Sequence, residues 1–169
     1  LPVLQQALEL AAVTGDANLK ARARFFEARL AAMAGNLTVA YEGFARARDL
    51  AHEAGDGELE ARATGSMGVV LDNSGRHLEG LPLIEHHLAD ARRRGDRNSE
   101  MIAACNLGLL FRHLGRSDDA RTSMELHLRI ARELGELQSE AVACGNLAIM
   151  EADQGRLEPA CDLYERNIV

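Results

Sequence analysis

The sequence predicts an all-α protein built from tandem helix–turn–helix repeats, and two observations support this fold class. The first is a glycine at every twentieth position: Gly15, Gly35, Gly55, Gly75, Gly95, Gly115, Gly135 and Gly155. The second is that the segments between them are rich in Ala, Leu, Arg and Glu, which favour helices, while the chain has only three prolines. Glycine ends a helix well because it adopts the left-handed conformation without a Cβ clash. We therefore expect one helix between each pair of glycines.

The residue after each glycine alternates in type, so the repeating unit is 40 residues long and contains two helices. An acidic residue follows every second glycine, and its carboxylate can cap the next helix at the positive end of the helix dipole. We call the helices that follow Asp16, Asp56, Asp96 and Glu136 the A helices and the others the B helices. The A helices are expected at about 17–34, 57–74, 97–114 and 137–154, and the B helices at about 2–14, 37–54, 77–94, 117–134 and 157–169.

The rhythm continues without a linker, so we expect a single repeat domain over residues 1–169. Its predicted parts are an orphan helix (1–15) and four repeats (16–55, 56–95, 96–135 and 136–169). Aromatic residues are only 4% of the chain, which suits stacked repeats that bury apolar faces only against their neighbours. The first residue, Leu1, and the short last helix lead us to expect an excerpt of a longer protein.

The composition of the chain argues against several classes of function. The formal net charge of −7 argues against nucleic-acid binding, which depends on neutralising phosphates. No apolar run approaches the length of a membrane span, so we expect no membrane contact. The cysteines Cys105, Cys144 and Cys161 are odd in number and lack metal-ligand spacing. We therefore expect free thiols, a cytoplasmic location, and neither a metal nor another cofactor.

Residues 101–128 resemble a tetratricopeptide repeat. They carry Leu107 and Gly108, the large Phe111, then Gly115, with a small Ala120 and a bulky Met124 on the following helix. The 40-residue period is similar to the variant found in cell-polarity adaptors and bacterial signalling proteins. The resemblance implies a right-handed α-solenoid, whose A helices line a concave surface.

The core positions follow from helical spacing. Ala104, Leu107, Gly108 and Phe111 fall on one stripe of an A helix, and Gly68 and Gly108 let two helix backbones approach closely. In the B helices the predicted core stripe is Leu81, Ile84, Leu88 and Ala91, which repeats the pattern of Leu1, Leu4, Leu8 and Ala11. Glu151 stands where Phe111 stands one repeat earlier. There we expect either a locally exposed surface or a polar contact with a following repeat.

The side of each A helix about 150° from this stripe could bind a ligand. We call it the A-helix face. Its residues, repeat by repeat, are Arg22, Phe25, Phe26, Arg29, Ala32 and Met33; Arg62, Gly65, Ser66, Val69, Asp72 and Asn73; Ile102, Cys105, Asn106, Leu109, Arg112 and His113; and Val142, Gly145, Asn146, Ile149, Ala152 and Asp153. The mixture of apolar and polar residues is typical of a groove for a peptide. The alternative is that its apolar members pack against the next A helix.

Asn106 and Asn146 are the most informative residues of this face. Asparagine inside a helix costs roughly 0.6 kcal/mol relative to alanine, so its recurrence at one register needs a reason. An amide can both donate to and accept from a peptide backbone. Relatives with Asn-Leu-Gly here use the asparagine in this way, which the resemblance implies for Asn106. The alternative is an asparagine ladder that ties adjacent A helices together.

The arginines of the A-helix face (Arg22, Arg29, Arg62 and Arg112) either attract an acidic or carboxylate ligand or are simply solvated. The histidines lack metal-ligand spacing, because neighbours such as His86 and His87 point about 100° apart on a helix. We therefore expect a non-catalytic scaffold that binds a protein or extended peptide in the concave groove, and not an enzyme. The alternative function is a regulatory sensor segment of a bacterial multidomain signalling or transcription-regulator protein.

Overall fold

In the computed structural model, residues 15–155 are described, and they form seven α-helices and no β-strand. These are α1 (Ala17–Met33), α2 (Leu37–Glu53), α3 (Gly57–Asn73), α4 (His77–Arg94), α5 (Arg97–His113), α6 (Ser117–Leu134) and α7 (Leu137–Asp153). The predicted all-α class is confirmed, and each of these helices ends within one residue of its expected position. The predicted helices at 2–14 and 157–169, with Leu1, Leu4, Leu8, Ala11 and Cys161, lie outside the described residues. None of the described helices is both long and apolar enough to cross a membrane.

The glycine rhythm sets the helix ends. All eight glycines of the series have a positive φ, between 68° and 79°. After α1, for example, the N–H of Asn36 donates to the carbonyl of Ala31 at 2.9 Å across Gly35. This bond spans the left-handed residue and satisfies a carbonyl that the helix leaves unpaired. A side chain at these positions would strain the backbone, which explains why glycine recurs.

The acidic residues after alternate glycines cap the A helices with their side chains, as predicted, in three of four cases. Asp16, Asp56 and Asp96 each accept a hydrogen bond at 3.0 Å from the backbone N–H three residues later. Glu136 occupies the same position before α7 but makes no such bond with its side chain. Its side chain is one methylene longer than that of aspartate, and short side chains are preferred at this position.

The chain divides into two compact units, Leu1–Arg94 and Gly95–Val169. In the first unit, α1 packs on α2, α2 on α3 and α3 on α4, so each helix contacts the next in sequence. In the second unit, α5 packs on α6 and α6 on α7. This consecutive packing is typical of helical-hairpin repeats. The prediction of one continuous domain stays a prediction.

The cores lie between A and B helices. In the first unit the rings of Phe25 and Phe44 are 5.2 Å apart at the junction of α1 and α2. Phe25, predicted on the A-helix face, is therefore part of the core, and that assignment is wrong. In the second unit the predicted stripe is buried along its whole length, which confirms that prediction: Ala104, Leu107, Gly108 and Phe111. A Cβ on Gly108 would lie 2.7 Å from the methyl carbon of Met124, so the close approach predicted there is also confirmed.

The predicted core stripe of the B helices is partly wrong. Ile84 and Ala91 are fully buried, but Leu81 and Leu88 are only half-buried. The buried positions beside them are Gly80 and His87, one residue earlier in each case. The stripe is displaced because Gly80, which has no side chain, is the residue that meets the backbone of α3.

The carboxylates of Glu151 and Asp72 are more buried than the sequence predicts. Glu151 is only 5% exposed and forms an ion pair with Arg121 of α6, so its partner is on the preceding helix. The alternative of a locally exposed surface is therefore wrong, and the alternative of a contact with a following repeat stays a prediction. Asp72, assigned to the A-helix face, is 6% exposed and its carboxylate lies 2.6 Å from Nδ1 of His77. It is therefore buried in the α3–α4 hairpin, and its assignment to an exposed ligand-binding face is wrong.

Candidate functional site

On the first unit, Phe26 and Met33 of the A-helix face, with Leu30 beside them, form an exposed apolar stripe along α1. Phe26, Leu30 and Met33 are 50%, 43% and 78% exposed, and their spacing places them on one side of the helix. The guanidinium carbon of Arg29 lies 5.0 Å from the centre of the Phe26 ring, which is a cation–π distance. On α3, Ser66 is half-buried and Asn73 is exposed at the last residue of the helix.

The arginines predicted on this unit are largely engaged within the protein. Arg22 forms an ion pair with Asp56 at 2.9 Å. Arg62 lies 5.2 Å from the ring centre of Phe25 and 3.5 Å from the carboxylate of Glu58. Two of the proposed ligand-attracting charges therefore already neutralise carboxylates of this chain.

Asp56 joins the start of α3 to α1. One oxygen of its carboxylate caps α3, and the other accepts from the amide of Asn18 at 2.8 Å and from Arg22 at 2.9 Å. Burial raises the pKa of Asp56, but the Leu59 N–H, Asn18 and Arg22 outweigh burial and hold the pKa below its usual value. The residue is therefore ionised at neutral pH and has a structural role.

On the second unit, the A-helix face opens into a cavity of about 270 Å³ between α5, α6 and α7. The predicted face contributes Ile102, Cys105 and Asn106 from α5 and Val142 from α7, and the rest of the lining is Met101, His127, Gln138 and Ser139. No charged side chain lines it unless His127 is protonated. Of the predicted asparagines, Asn106 lines this cavity and Asn146 does not.

The polar residues predicted on the face of the second unit differ in exposure. Asn106, Asn146 and Arg112 are half-buried, and His113 is exposed at the end of α5. Among residues 15–155, the amides of Asn106 and Asn146 make no hydrogen bond to each other. The described part of the chain thus gives no support to an asparagine ladder.

Sequence reasoning missed His127. Its side chain is 4% exposed, its Nδ1 has no hydrogen-bond partner, and burial lowers the pKa of the imidazole. The imidazole is therefore neutral near pH 7. A signal was present in the sequence, because His87 and His127 are 40 residues apart and share one register.

The two histidines have different surroundings because of one residue on the facing A helix. The ring of His87 packs against Gly65, where a Cβ would lie 2.5 Å from its Nδ1. Cys105 has the register of Gly65 in the next repeat, so His127 cannot pack on α5 in the same way. Burial also raises the pKa of the Cys105 thiol, which keeps it protonated and a weak nucleophile. The arrangement favours binding of a neutral group over covalent chemistry.

Comparisons with known proteins agree with the helical-repeat fold. A family model for the tetratricopeptide repeat matches residues 59–133 and 99–168. A search of curated proteins finds no match. Among solved structures, that of BtubC (BKLC) from P. vanneervenii is similar, with a TM-score of 0.78 and 19% identity over 90% of this chain. The chain spans 63% of that protein, and at this identity the likeness shows the fold alone. The chain belongs to the tetratricopeptide repeat family, whose repeats generally mediate protein–protein interactions.

Proposed function

We propose that this protein is a non-catalytic scaffold that binds an extended peptide segment of a partner protein along the A-helix face. The observation that carries the proposal is the cavity beside Asn106, which opens on this face between the exposed side chains of Ile102 and Val142. A pocket of apolar walls with a few polar groups is typical of a binding site.

The polar groups suit a peptide backbone. Asn106 and Asn146 occupy the same register in successive A helices, and within residues 15–155 their amides make no hydrogen bond to each other. Each amide offers two donors and an acceptor, which are the groups that an extended peptide needs. Gln138 and Ser139 add further hydrogen-bonding groups at the rim contributed by α7.

In the first unit, the A helix α1 offers an apolar contact surface. The stripe of Phe26, Leu30 and Met33 remains exposed to solvent, although burying it would stabilise a complex by removing apolar area from water. Arg29, stacked on Phe26, adds a positive charge to an otherwise acidic chain. The net charge of −7 favours a protein partner over nucleic acid.

A random-peptide display library, selected against the full chain, tests the proposal. The enriched peptides are labelled with fluorescein, and their affinities are measured by fluorescence anisotropy. The A-face variant is Ile102→Asp/Val142→Asp, and the matched control is Val39→Asp/Leu78→Asp, which alters exposed apolar residues of B helices. We expect the A-face variant to weaken binding at least about tenfold, with the control unchanged. Peptides that lose affinity only in the control, or a library without any binder, would contradict the proposal.

A further inference from the structure

The first unit has a cavity that no residue of the A-helix face lines. Its volume is about 180 Å³, and it lies between the first turns of α2, the end of α3 and the loop that follows α3. The residues that line it are Leu37, Thr38, Tyr41, Glu42, Val70, Leu71, Ser74 and Arg76. The cavity is therefore separate from the surface proposed to bind the peptide.

The α3 side of this cavity consists of residues that are each smaller than the residue 40 positions later. The three pairs are Val70 and Leu110, Leu71 and Phe111, and Ser74 and Leu114. The cavity thus adjoins the register at which α5 carries a phenyl ring. Apolar cavities of roughly 150 Å³ hold one benzene molecule, whereas whole small-molecule ligands occupy roughly 300–1,000 Å³. A volume of about 180 Å³ therefore suits a single aromatic ring.

In the second unit the ring at this register packs under an arginine. The guanidinium carbon of Arg116 lies 4.4 Å from the centre of the Phe111 ring, which is a cation–π distance. The Nε atom of the same guanidinium donates to Asp119 at 2.7 Å. One edge of the guanidinium is thus paired with a carboxylate three residues later, while its face lies over the ring.

Arg76 has the register of Arg116 and makes the same edge contact. Its Nε and Nη2 atoms donate to the Glu79 carboxylate, three residues later, at 2.8 and 2.6 Å. Within residues 15–155, no aromatic ring is stacked on this guanidinium. Because Glu79 occupies these two donors, the face of the guanidinium is the main part of Arg76 that remains for a ligand, and such a face favours an aromatic ring.

The charges around the cavity argue against an ionic ligand. Glu42 would repel a carboxylate or a phosphate, and the positive charge of Arg76 is already neutralised by Glu79. A cationic group would in turn meet the guanidinium of Arg76. A neutral ring is compatible with both charges, because its face is negative and its edge is positive.

We propose that this cavity is a docking site for an aromatic side chain of a partner protein, which stacks on Arg76 as Phe111 stacks on Arg116. The site belongs to the first unit alone. It is additional to the A-helix face, so it does not depend on the proposed function.

Two small alcohols of similar shape test the site on the full chain. Benzyl alcohol has an aromatic face, and cyclohexylmethanol does not. The ¹⁵N-labelled chain is titrated with each, and both affinities are read from the amide resonances of the lining residues Thr38, Tyr41 and Ser74. The quantity of interest is the ratio of the benzyl alcohol affinity to the cyclohexylmethanol affinity. The absence of any shift at these amides with benzyl alcohol would overturn the proposal.

Removing the guanidinium isolates the cation–π contact. We expect Arg76→Gln to lower the affinity ratio about two- to fivefold, as the loss of a cation–π contact at an exposed site implies. Arg46→Gln, at an exposed position of α2 outside the cavity, is the matched control and should leave the ratio unchanged. An affinity ratio that is the same in the wild type and in Arg76→Gln contradicts the proposed stacking.

Filling the cavity from within should exclude the ring. The variant Leu71→Phe/Ser74→Leu gives α3 the residues of α5, and we expect a higher thermal midpoint and no shift of Thr38 or Tyr41 with benzyl alcohol. Val39→Phe is the control, because it adds a ring to an exposed residue of α2 that does not line the cavity. Benzyl alcohol binding that persists at Thr38 and Tyr41 in the filled variant would refute the site. If the filled variant does not fold, the Arg76 comparison decides alone.

Peptides from the display library extend the test to a partner chain. Those that bind the wild type but not the filled variant should contain an aromatic residue, and its change to leucine should lower the affinity about two- to fivefold. Their binding should survive Ile102→Asp/Val142→Asp, which separates this site from the A-helix face. Peptides that depend on the unfilled cavity and yet tolerate the leucine change would overturn the aromatic assignment.

Discussion

The carbonyl oxygen of Gly68 lies 2.5 Å from the point where a Cβ on Gly80 would stand. The reverse distance, from a Cβ on Gly68 to the oxygen of Gly80, is 2.8 Å. Helices α3 and α4 therefore meet backbone to backbone, which confirms the close approach predicted at Gly68. Because the obstacle is main chain, it cannot turn away as a flexible side chain would.

Adding one methyl group at this contact tests the packing. Gly80→Ala should destabilise the protein by about 1–3 kcal/mol, the usual cost of overpacking, despite the better helix propensity of alanine. Gly57→Ala is the matched control on α3, where nothing lies within 4 Å of the added atom. It should leave stability unchanged or raise it by up to about 1 kcal/mol. Urea denaturation measures both, and equal free energies of unfolding for the two variants would show that the helices are not in backbone contact.

Removing only one partner of the ion pair between Arg121 and Glu151 should lower the stability of the protein. Arg121→Ala leaves the buried Glu151 carboxylate without this partner, and we expect a loss of about 1–3 kcal/mol in the free energy of unfolding. The double variant Arg121→Tyr/Glu151→Leu places at these registers the residues found in the first unit, Tyr41 and Leu71. It should recover most of the loss, because apolar pairs often replace buried ion pairs without cost. A double variant less stable than Arg121→Ala would contradict this reading of the site.

Asp56 should make stability depend on pH. Its folded pKa lies below its ordinary value of 3.8, so its contribution is present above that pH and is lost as the pH falls through 3.8 and below. Asp56→Asn should therefore be less stable than the wild type at pH 7, by up to about 1 kcal/mol because Arg22 is half exposed. The difference should shrink as the pH falls below 3.8. Asp49→Asn, at a carboxylate that is 62% exposed, is the control for the loss of one surface charge. If the stability difference between the wild type and Asp56→Asn grew as the pH fell, the lowered pKa of Asp56 would be contradicted.

The sequence could predict the helices because their limits are local. A glycine that needs a positive φ and an aspartate that caps three residues ahead act within one turn, so neither depends on a distant partner. The core stripe of α5 was predictable for the same reason, from helical spacing alone. The displaced stripe of α4 was not, because it follows from Gly80 meeting another helix.

The candidate site depends more on distant contacts, and less of it could be predicted. Asn106 was found because its register repeats, but the cavity beside it depends on how α6 and α7 pack. His127 was overlooked because its surroundings are set by Cys105 on another helix, where the preceding repeat has Gly65. The contact of Glu151 with Arg121 was not predicted for a similar reason, since Arg121 is 30 residues earlier in the chain.

The central claim is that Asn106 and Asn146 hold the backbone of a bound peptide, and the double variant Asn106→Ala/Asn146→Ala tests it most directly. Alanine is the better helix former, and the described structure shows no bond between the two amides. The thermal midpoint should therefore stay the same or rise. The affinity for an enriched peptide should fall by about 1–3 kcal/mol, the cost of leaving buried peptide groups unpaired.

Thermal melting and a fluorescence-anisotropy isotherm, made on one preparation of the double variant, give both quantities. The account predicts an undiminished midpoint together with weaker peptide binding. A lower midpoint together with unchanged affinity of the folded protein would contradict it, because the two asparagines would then stabilise the helices and leave the peptide untouched.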